Sequence, residues 1–305
     1  MNQNLITLVI ILNFMLKIIS YQFFQFILSN FTKIGMFSFV IILVSSCTVN
    51  TRNQDPILLR LKPKIGSSYE VNTNMNIALD MKQPINVNMD FFIKTRFDSV
   101  RSDGKLAMTS EISRIKSIVS SGVFHRSYDT QHPIIKNDIE QEMHDKLSKL
   151  VGVKMNTLMN NRGETQQITD LDTLFKNDEE MKKQFKEIEK SFSNSGVVFP
   201  SEEVKKGSIW TAEIRKKSVQ NMVQRITYKV RKITMNEVYI DISGTISYGS
   251  DDVKGGGKIK GMMRVNRNTG LNTTTKIIQD YKMNINGYKA KGINTIEVKT
   301  VLIEN

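Results

Sequence analysis

The sequence predicts a mainly β, antiparallel protein with one or two short helices. Two observations carry this: long runs alternate apolar and polar residues with period 2, and turn-forming residues sit at their breaks. The alternation is clearest over 69–81. Tyr69, Val71, Met75, Ile77, Leu79 and Met81 share one parity, with Thr73 completing it, against Glu70, Asn72, Asn74, Asn76 and Asp80. Successive strand side chains point to opposite faces, so this strand has one buried and one wet face. The pattern resumes at Ile85, Val87, Met89, Phe91 and Ile93, which predicts a hairpin turning at Lys82-Gln83-Pro84. Ser102-Asp103-Gly104 marks a further turn, leading to a strand near 105–118. Strands over 153–159 and 164–168 flank Asn160-Asn161-Arg162-Gly163. Later strands fit 209–215, 222–233, 237–247, 258–266, 271–285 and 293–303, with turns at Met235-Asn236 and Asn268-Thr269-Gly270.

Helical spacing is confined to two places. Over 138–151, Ile139, Met143, Leu147 and Leu150 share a face, Asn137 is placed to cap the start, and Gly152 closes the end. Over 178–192, Met181, Phe185, Ile188 and Phe192 share a face behind Asn177. A soft internal repeat divides the chain. Gly66-Ser67-Ser68-Tyr69 parallels Gly207-Ser208-Ile209-Trp210, each a turn glycine followed by an aromatic anchor. A basic strand follows each one: Ile93-Lys94-Thr95-Arg96-Phe97, and Ile226-Thr227-Tyr228-Lys229-Val230-Arg231. The expected architecture is therefore two similar curved sheets, over 55–172 and 197–305, joined by a linker helix within 173–196.

Composition bounds the function. The single cysteine excludes a disulfide framework or a cysteine-rich metal site within one chain. The formal net charge is +13, and Lys17 and Lys33 are the only charged residues before Cys47, which leaves +11 for the remainder. Such an excess suits anionic partners. The basic residues are scattered along the sequence, however, so an evenly solvated surface is the expectation, with no nucleic-acid partner.

Residues 34–44 (IGMFSFVIILV) form an apolar run preceded by Lys33 and followed by Ser45-Ser46-Cys47. Val44-Ser45-Ser46-Cys47 resembles the lipobox of bacterial lipoprotein signals. That resemblance implies cleavage between Ser46 and Cys47, a diacylglycerol on the Cys47 thiol, and a tether over 47–54. The 46 residues before Cys47 exceed the usual signal of about 15–30, so the true start is expected internally, near Leu28. The remainder resembles a family of uncharacterised lipoproteins from Bacteroidota, a domain of unknown function. The likeness rests on Leu61-Lys62 to Tyr69, Asp103-Gly104, Leu150-Val151-Gly152 before Gly163, Gly207 to Trp210, and Asn268-Thr269-Gly270-Leu271. It implies a cell-envelope protein anchored in a membrane by the lipid on Cys47. No acidic cluster follows Cys47, which favours a body facing the periplasm, with the outer membrane as the expected site of the anchor.

No catalytic apparatus is legible, and nothing in the sequence asks for a cofactor or a metal. His125 and His132 fall in a segment read as a loop, GVFHRSYDTQHPII, with Asp129 between them, and His144 lies off the apolar face of its helix. There is no His-x-x-x-His pair and no Gly-x-Ser-x-Gly elbow. Gly255-Gly256-Gly257 lacks the remainder of a phosphate loop and reads as a hairpin tip. Met75, Met81 and Met89 point inward and read as core rather than as a pliable ligand surface. The expectation is a non-enzymatic envelope lipoprotein that binds a hydrophobic or acidic ligand or a partner protein. The alternatives are a hydrolase using carboxylates or the His125/His132 loop, and a structural scaffold. Metabolic labelling with a fatty-acid probe should mark the wild-type protein and leave Cys47→Ser dark; an intact peptide spanning Ser46-Cys47 would defeat the lipoprotein assignment.

Overall fold

The computed structural model describes residues 56–80, 84–122, 124–168, 198–216, 221–249, 253–285 and 288–303. The chain forms one antiparallel sheet. Its first run is β1 (Ser68–Asp80), β2 (Ile85–Val100), β3 (Leu106–Ser121), β4 (Phe124–Asp129), β5 (Lys154–Met159) and β6 (Thr165–Ile168). Helix α1 (Asp138–Leu147) and a short 3-10 turn (Ser148–Leu150) separate β4 from β5. The second run is β7 (Ile209–Lys216), β8 (Met222–Ile233), β9 (Glu237–Gly249), β10 (Val253–Asn266), β11 (Asn272–Ile285) and β12 (Tyr288–Ile303).

The two expected sheets are in fact one. β12 returns to pair with β1 along its whole length, from Ser68↔Ile303 to Asp80↔Lys291. The strand order is β6-β5-β3-β2-β1-β12-β11-β10-β9-β8-β7, with β4 beside β3. Both meanders present unpaired backbone donors and acceptors at β1 and β12, and pairing those edges satisfies both at once.

Alternation holds across the sheet. Val71, Met75, Met89, Phe91, Ile93, Val230, Val238, Met263, Val265 and Val298 are each at most 2% exposed. Buried residues alternate with partly buried or exposed ones over all of β1, so the parity in the sequence marks an inner and an outer face. β3 switches phase: Leu106, Met108 and Ile112 are buried on one parity, then Ile115 and Val119 on the other. A register shift opposite Phe92/Ile93 accounts for this, and the Ser113 hydroxyl donates to the Phe92 carbonyl there at 3.1 Å.

A sheet with one apolar face must cover it, and here it curls. Ile57 bridges to Val204 just before β7. Leu61 N donates to Asn161 O (2.7 Å) in the β5–β6 turn, and Lys62 N to Thr269 O (2.8 Å) in the β10–β11 turn. Phe199 N donates to Arg162 O at 2.9 Å, and Arg162 Nε returns to Phe199 O at 2.8 Å. β6 and β7 are the two ends of the strand order, so one segment can touch both their flanks only if the sheet is rolled. Residues 56–63 thus cross one end of the roll, and Leu59 and Leu61 are buried there.

Gly66 and Gly207 take equivalent places. Both have positive φ, +82 and +90, where a side chain would be strained. Gly66 N donates to Phe97 O and Phe97 N donates back to Ser67 O; Gly207 N donates to Val230 O and Val230 N donates back to Ser208 O. Tyr69 meets Phe97 edge-on, whereas Trp210 stacks on Tyr228 at 5.2 Å and donates Nε1 to Val198 O. The Tyr228 phenol is fully desolvated, which pushes its pKa well up.

Three sequence expectations change. Gly255-Gly256-Gly257 is no hairpin tip; it lies within β10, where Gly257 faces Ile246 and Tyr281 across its neighbours. The segment holding His125 is strand β4 as far as Asp129. Helix 138–151 ends at Leu147, and Gly152, with φ +81, turns the chain back so that its N–H reaches Ile112 O. The 178–192 helix and the 173–196 linker lie outside the described residues. At Gly292, an added Cβ would sit 2.4 Å from the Tyr281 ring and 2.8 Å from Leu79 Cδ2. Gly292→Val should therefore lower stability by about 1–3 kcal/mol, read from urea denaturation.

Candidate functional site

The most structured feature outside the core is built around β4. β5 pairs with the first half of β3 and β4 with its second half, so β3 forks at the bulge that carries Ser113 and Arg114. The bulge turns Arg114 outward, where its Nε bonds Asp129 Oδ1 at 2.9 Å and its second guanidinium nitrogen bonds the other carboxylate oxygen. Two parallel charge-assisted bonds fix the end of β4. Arg114 beside Asp129 holds that carboxyl below the usual range, assisted by the Gln131 N–H. Thr130 completes the anchor: its N–H donates to Ile115 O, and its Oγ1 accepts from Ile115 N.

From there the chain folds back alongside β4 into α1. Asn137 caps the helix by accepting from Glu140 N at 3.1 Å. Glu140 is 7% exposed, and its carboxylate accepts from Lys136 N at 2.6 Å and lies 3.6 Å from Arg126 Nε. Tyr128 OH and His144 Nδ1 are 2.8 Å apart. Met143 and Leu147 enter the core below these contacts. The helix is thus clamped to β4 at two successive turns.

Between these elements lies a groove of about 650 Å³. Asn88, Asp90, Lys116 and Ile118 form its wall on β2 and β3. His125, Ser127 and Asp129 line it from β4, and His132, Ile134, Lys136 and Glu140 from the returning chain. Ile118 is 43% exposed and Ile134 63%, so the groove offers apolar surface to solvent. Its acids are engaged: Asp129 by Arg114, Glu140 by Lys136 N, and Asp90 by Asn74 Nδ2 at 2.7 Å. Among the described residues, Lys116 and Lys136 make no ion pair.

The structure brings His125, Asp129 and His132 to this one groove, with His125 and Asp129 on strand β4 rather than in the expected loop and His132 in the turn that follows it. His144 is directed to Tyr128 instead. Gly66, Tyr69, Gly207 and Trp210 do not line the groove, and Ser46 and Cys47 lie outside the described residues. Lys116, Ile118, Arg126 and Lys136 went unnoticed. The one available signal was the aliphatic pair Ile134-Ile135 in an otherwise polar segment. Among the described residues, no group of three or more His, Cys, Asp or Glu is placed to hold a metal. No described helix is long and apolar enough to cross a membrane.

Fold and groove together define a rolled, single-sheet β protein with a cleft on its flank that mixes acids, bases and exposed aliphatic side chains. The chain belongs to the Family of unknown function (DUF6263), whose profile matches residues 103–283. No curated protein matches it. Among solved structures, it is similar to a lipovitellin described under lipid–protein interactions, at 9% identity and a TM-score of 0.47. That match covers 79% of this chain and 25% of lipovitellin, so the chain spans a quarter of that relative. An outer membrane channel from Pseudomonas putida F1 matches at 9% identity over 81% of this chain and 99% of its own, with a TM-score of 0.26. Pseudomonas aeruginosa OpdQ matches at 7% identity over 79% of this chain and 100% of its own, with a TM-score of 0.24.

The Arg114–Asp129 pair carries a pH signature. Because the folded carboxyl titrates below its unfolded value of about 3.9, its contribution is complete above that pH and is lost as pH falls through the lower folded value. Asp129→Asn should cost about 1 kcal/mol at neutral pH and flatten the acid limb of thermal stability. Melting temperatures of the two proteins between pH 3 and pH 7 check this, and parallel curves would refute it.

Proposed function

We propose that this chain is a lipid-anchored envelope protein that binds an anionic amphiphile, without chemical turnover, in the groove beside β4. The observation that carries the reading is the convergence of Lys116 and Lys136 with exposed Ile118 and Ile134 in one cleft, where Lys116 stands in register between Asp90 and Asp129 with its ammonium over the Phe92 ring but closes no ion pair with either acid. A carboxylate or phosphate head would find charge-assisted donors there, while an attached hydrocarbon covers the isoleucines. His125 and His132 add imidazole hydrogen-bonding groups to the same groove. The lipobox resemblance at Val44-Ser45-Ser46-Cys47 supports the anchor, which would hold the groove close to a supply of such molecules.

A hydrolase reading is favoured only by the placement of His125, Ser127 and Asp129 on one face of β4. Asp129 is committed to Arg114, and among the described residues no hydrogen bond joins His125 to Ser127. A triad needs an acid free to orient the histidine and a histidine on the nucleophile. The binding reading needs neither.

Native mass spectrometry of the full chain, purified gently from envelopes, should show one anionic lipid-like molecule per protein. The double variant K116E/K136E should lose it or bind it at least about 10-fold more weakly, since one charge-assisted hydrogen bond is worth about 1.5 kcal/mol or more. A wild-type protein that emerges unliganded and ignores added lysophospholipid would overturn the proposal. Ester hydrolysis that disappears in His125→Ala would instead favour the hydrolase.

A further inference from the structure

The basic residues that look scattered in the sequence converge on one outer patch. β10, β11 and β12 are consecutive in the sheet, and their register sets the outward side chains in rows. Lys254, Asn284 and Lys289 form one row, and Lys282 and Lys291 the next beside Gly256. Lys258, Asp280 and Ile293 follow, then Lys260, Ile278 and Thr295. With strands about 4.8 Å apart and residues about 3.4 Å apart along them, this is roughly 10 by 20 Å. All six lysines of these rows are exposed, and Asp280 is the one acid among them. Asp80 flanks the patch opposite Lys291. Among the described residues none of these lysines has an ion pair; the lysine that does, Lys276 with Glu297, lies farther along the same strands.

Lys282 directly opposite Lys291 is a like-charge cross-strand pair, which costs stability. Asp80, in register with Lys291 on its other side, offsets part of that cost, and a bound anion would offset the rest. We infer that this outer face of β10–β12 docks on an anionic phospholipid surface. Three features favour a bilayer over other polyanions. The charges spread over a sheet face rather than a cleft, as headgroups do. Ile278 and Ile293, 40% and 51% exposed, stand between the lysines, where aliphatic side chains enter the headgroup–acyl boundary. No aromatic residue lies in these rows to stack on nucleic-acid bases. The inference uses other strands and other residues than the groove and stands apart from it.

Flotation of the full chain with vesicles tests this. The apolar N-terminal residues meet pure phosphatidylcholine and phosphatidylcholine with 30% phosphatidylglycerol alike, so the difference between the two reports the charges. Wild type should prefer the anionic vesicles in about 0.1 M salt and lose that preference near 0.5 M, where screening is short-ranged. K254E/K282E/K291E should weaken binding to the anionic vesicles by roughly 100-fold, at about 5-fold per lysine, with an unchanged circular dichroism spectrum. The groove variant K116E/K136E should keep the preference. Equal binding of wild type to both vesicles, or a preference that survives the triple reversal, would overturn the inference. So would tighter binding of single-stranded DNA or a soluble acidic polysaccharide through the same lysines.

Discussion

The pairing of β1 with β12 is the constraint on which the rest depends. Without it there would be two meanders, each with a long bare edge and an apolar face too large for the one described helix to cover. Thirteen register pairs, from Ser68↔Ile303 to Asp80↔Lys291, join them. The joined sheet is wide enough to roll so that its inner face is enclosed. Segment 56–63 then ties both flanks of the roll at one end through Ile57 and Leu61, and the β10–β11 turn between them through Lys62. This order makes folding non-local: the first strand waits for the last. Some buried polar residues on the inner face pair across strands, as Asn294 donates to Gln279 at 3.1 Å and Thr95 meets Ser110 at 3.2 Å, whereas the buried hydroxyls of Thr73, Thr157 and Thr300 meet no hydrogen-bond partner among the described residues.

Most of the strands were legible because one face is buried throughout, which imprints parity on the sequence. Tyr69, Val71, Met75, Ile77 and Leu79 announce β1, and the same residues line its inner face. Met75 and Met89 are likewise core, at 0% and 2% exposure. β4 was missed for a physical reason. Its buried-side residues include Arg126, whose charge is met by Glu140 from a separate element, so no apolar alternation survives. Gly255-Gly256-Gly257 misled because strands seldom tolerate three glycines. Here the neighbouring backbones approach so closely that a Cβ on Gly257 would lie 2.0 Å from Asp280 O. The union of two sheets into one was not legible at all, since edge pairing between chain ends leaves no local mark.

The candidate groove was half legible. His125, Asp129 and His132 stood out by residue type, but the groove's cations and aliphatics come from β3 and the approach to α1. The fork in β3 gathers them. Ser113 adds one residue to the strand, Arg114 swings outward, and β4 is pinned by the bidentate contact with Asp129. A single inserted residue thereby frees space for a cleft on this flank of the sheet.

Charge distribution takes the reasoning one step beyond parity. A one-sided sheet must send its charged side chains outward, so some clustering is unavoidable in a chain of net charge +13. Parity does not dictate which strands receive which sign, however. β1 carries Glu70 and Asp80 and no lysine or arginine, while its neighbour β12 carries Lys289, Lys291 and Lys299 against Glu297. A boundary in charge therefore runs along the very seam that holds the fold together. Stability alone would favour interleaving, setting acids opposite bases as Lys276 meets Glu297. The opposite arrangement, lysine facing lysine across β11 and β12, sacrifices cross-strand pairing for a concentrated field. That concentrated positive field on the outer face is what the proposed docking on anionic headgroups would draw on.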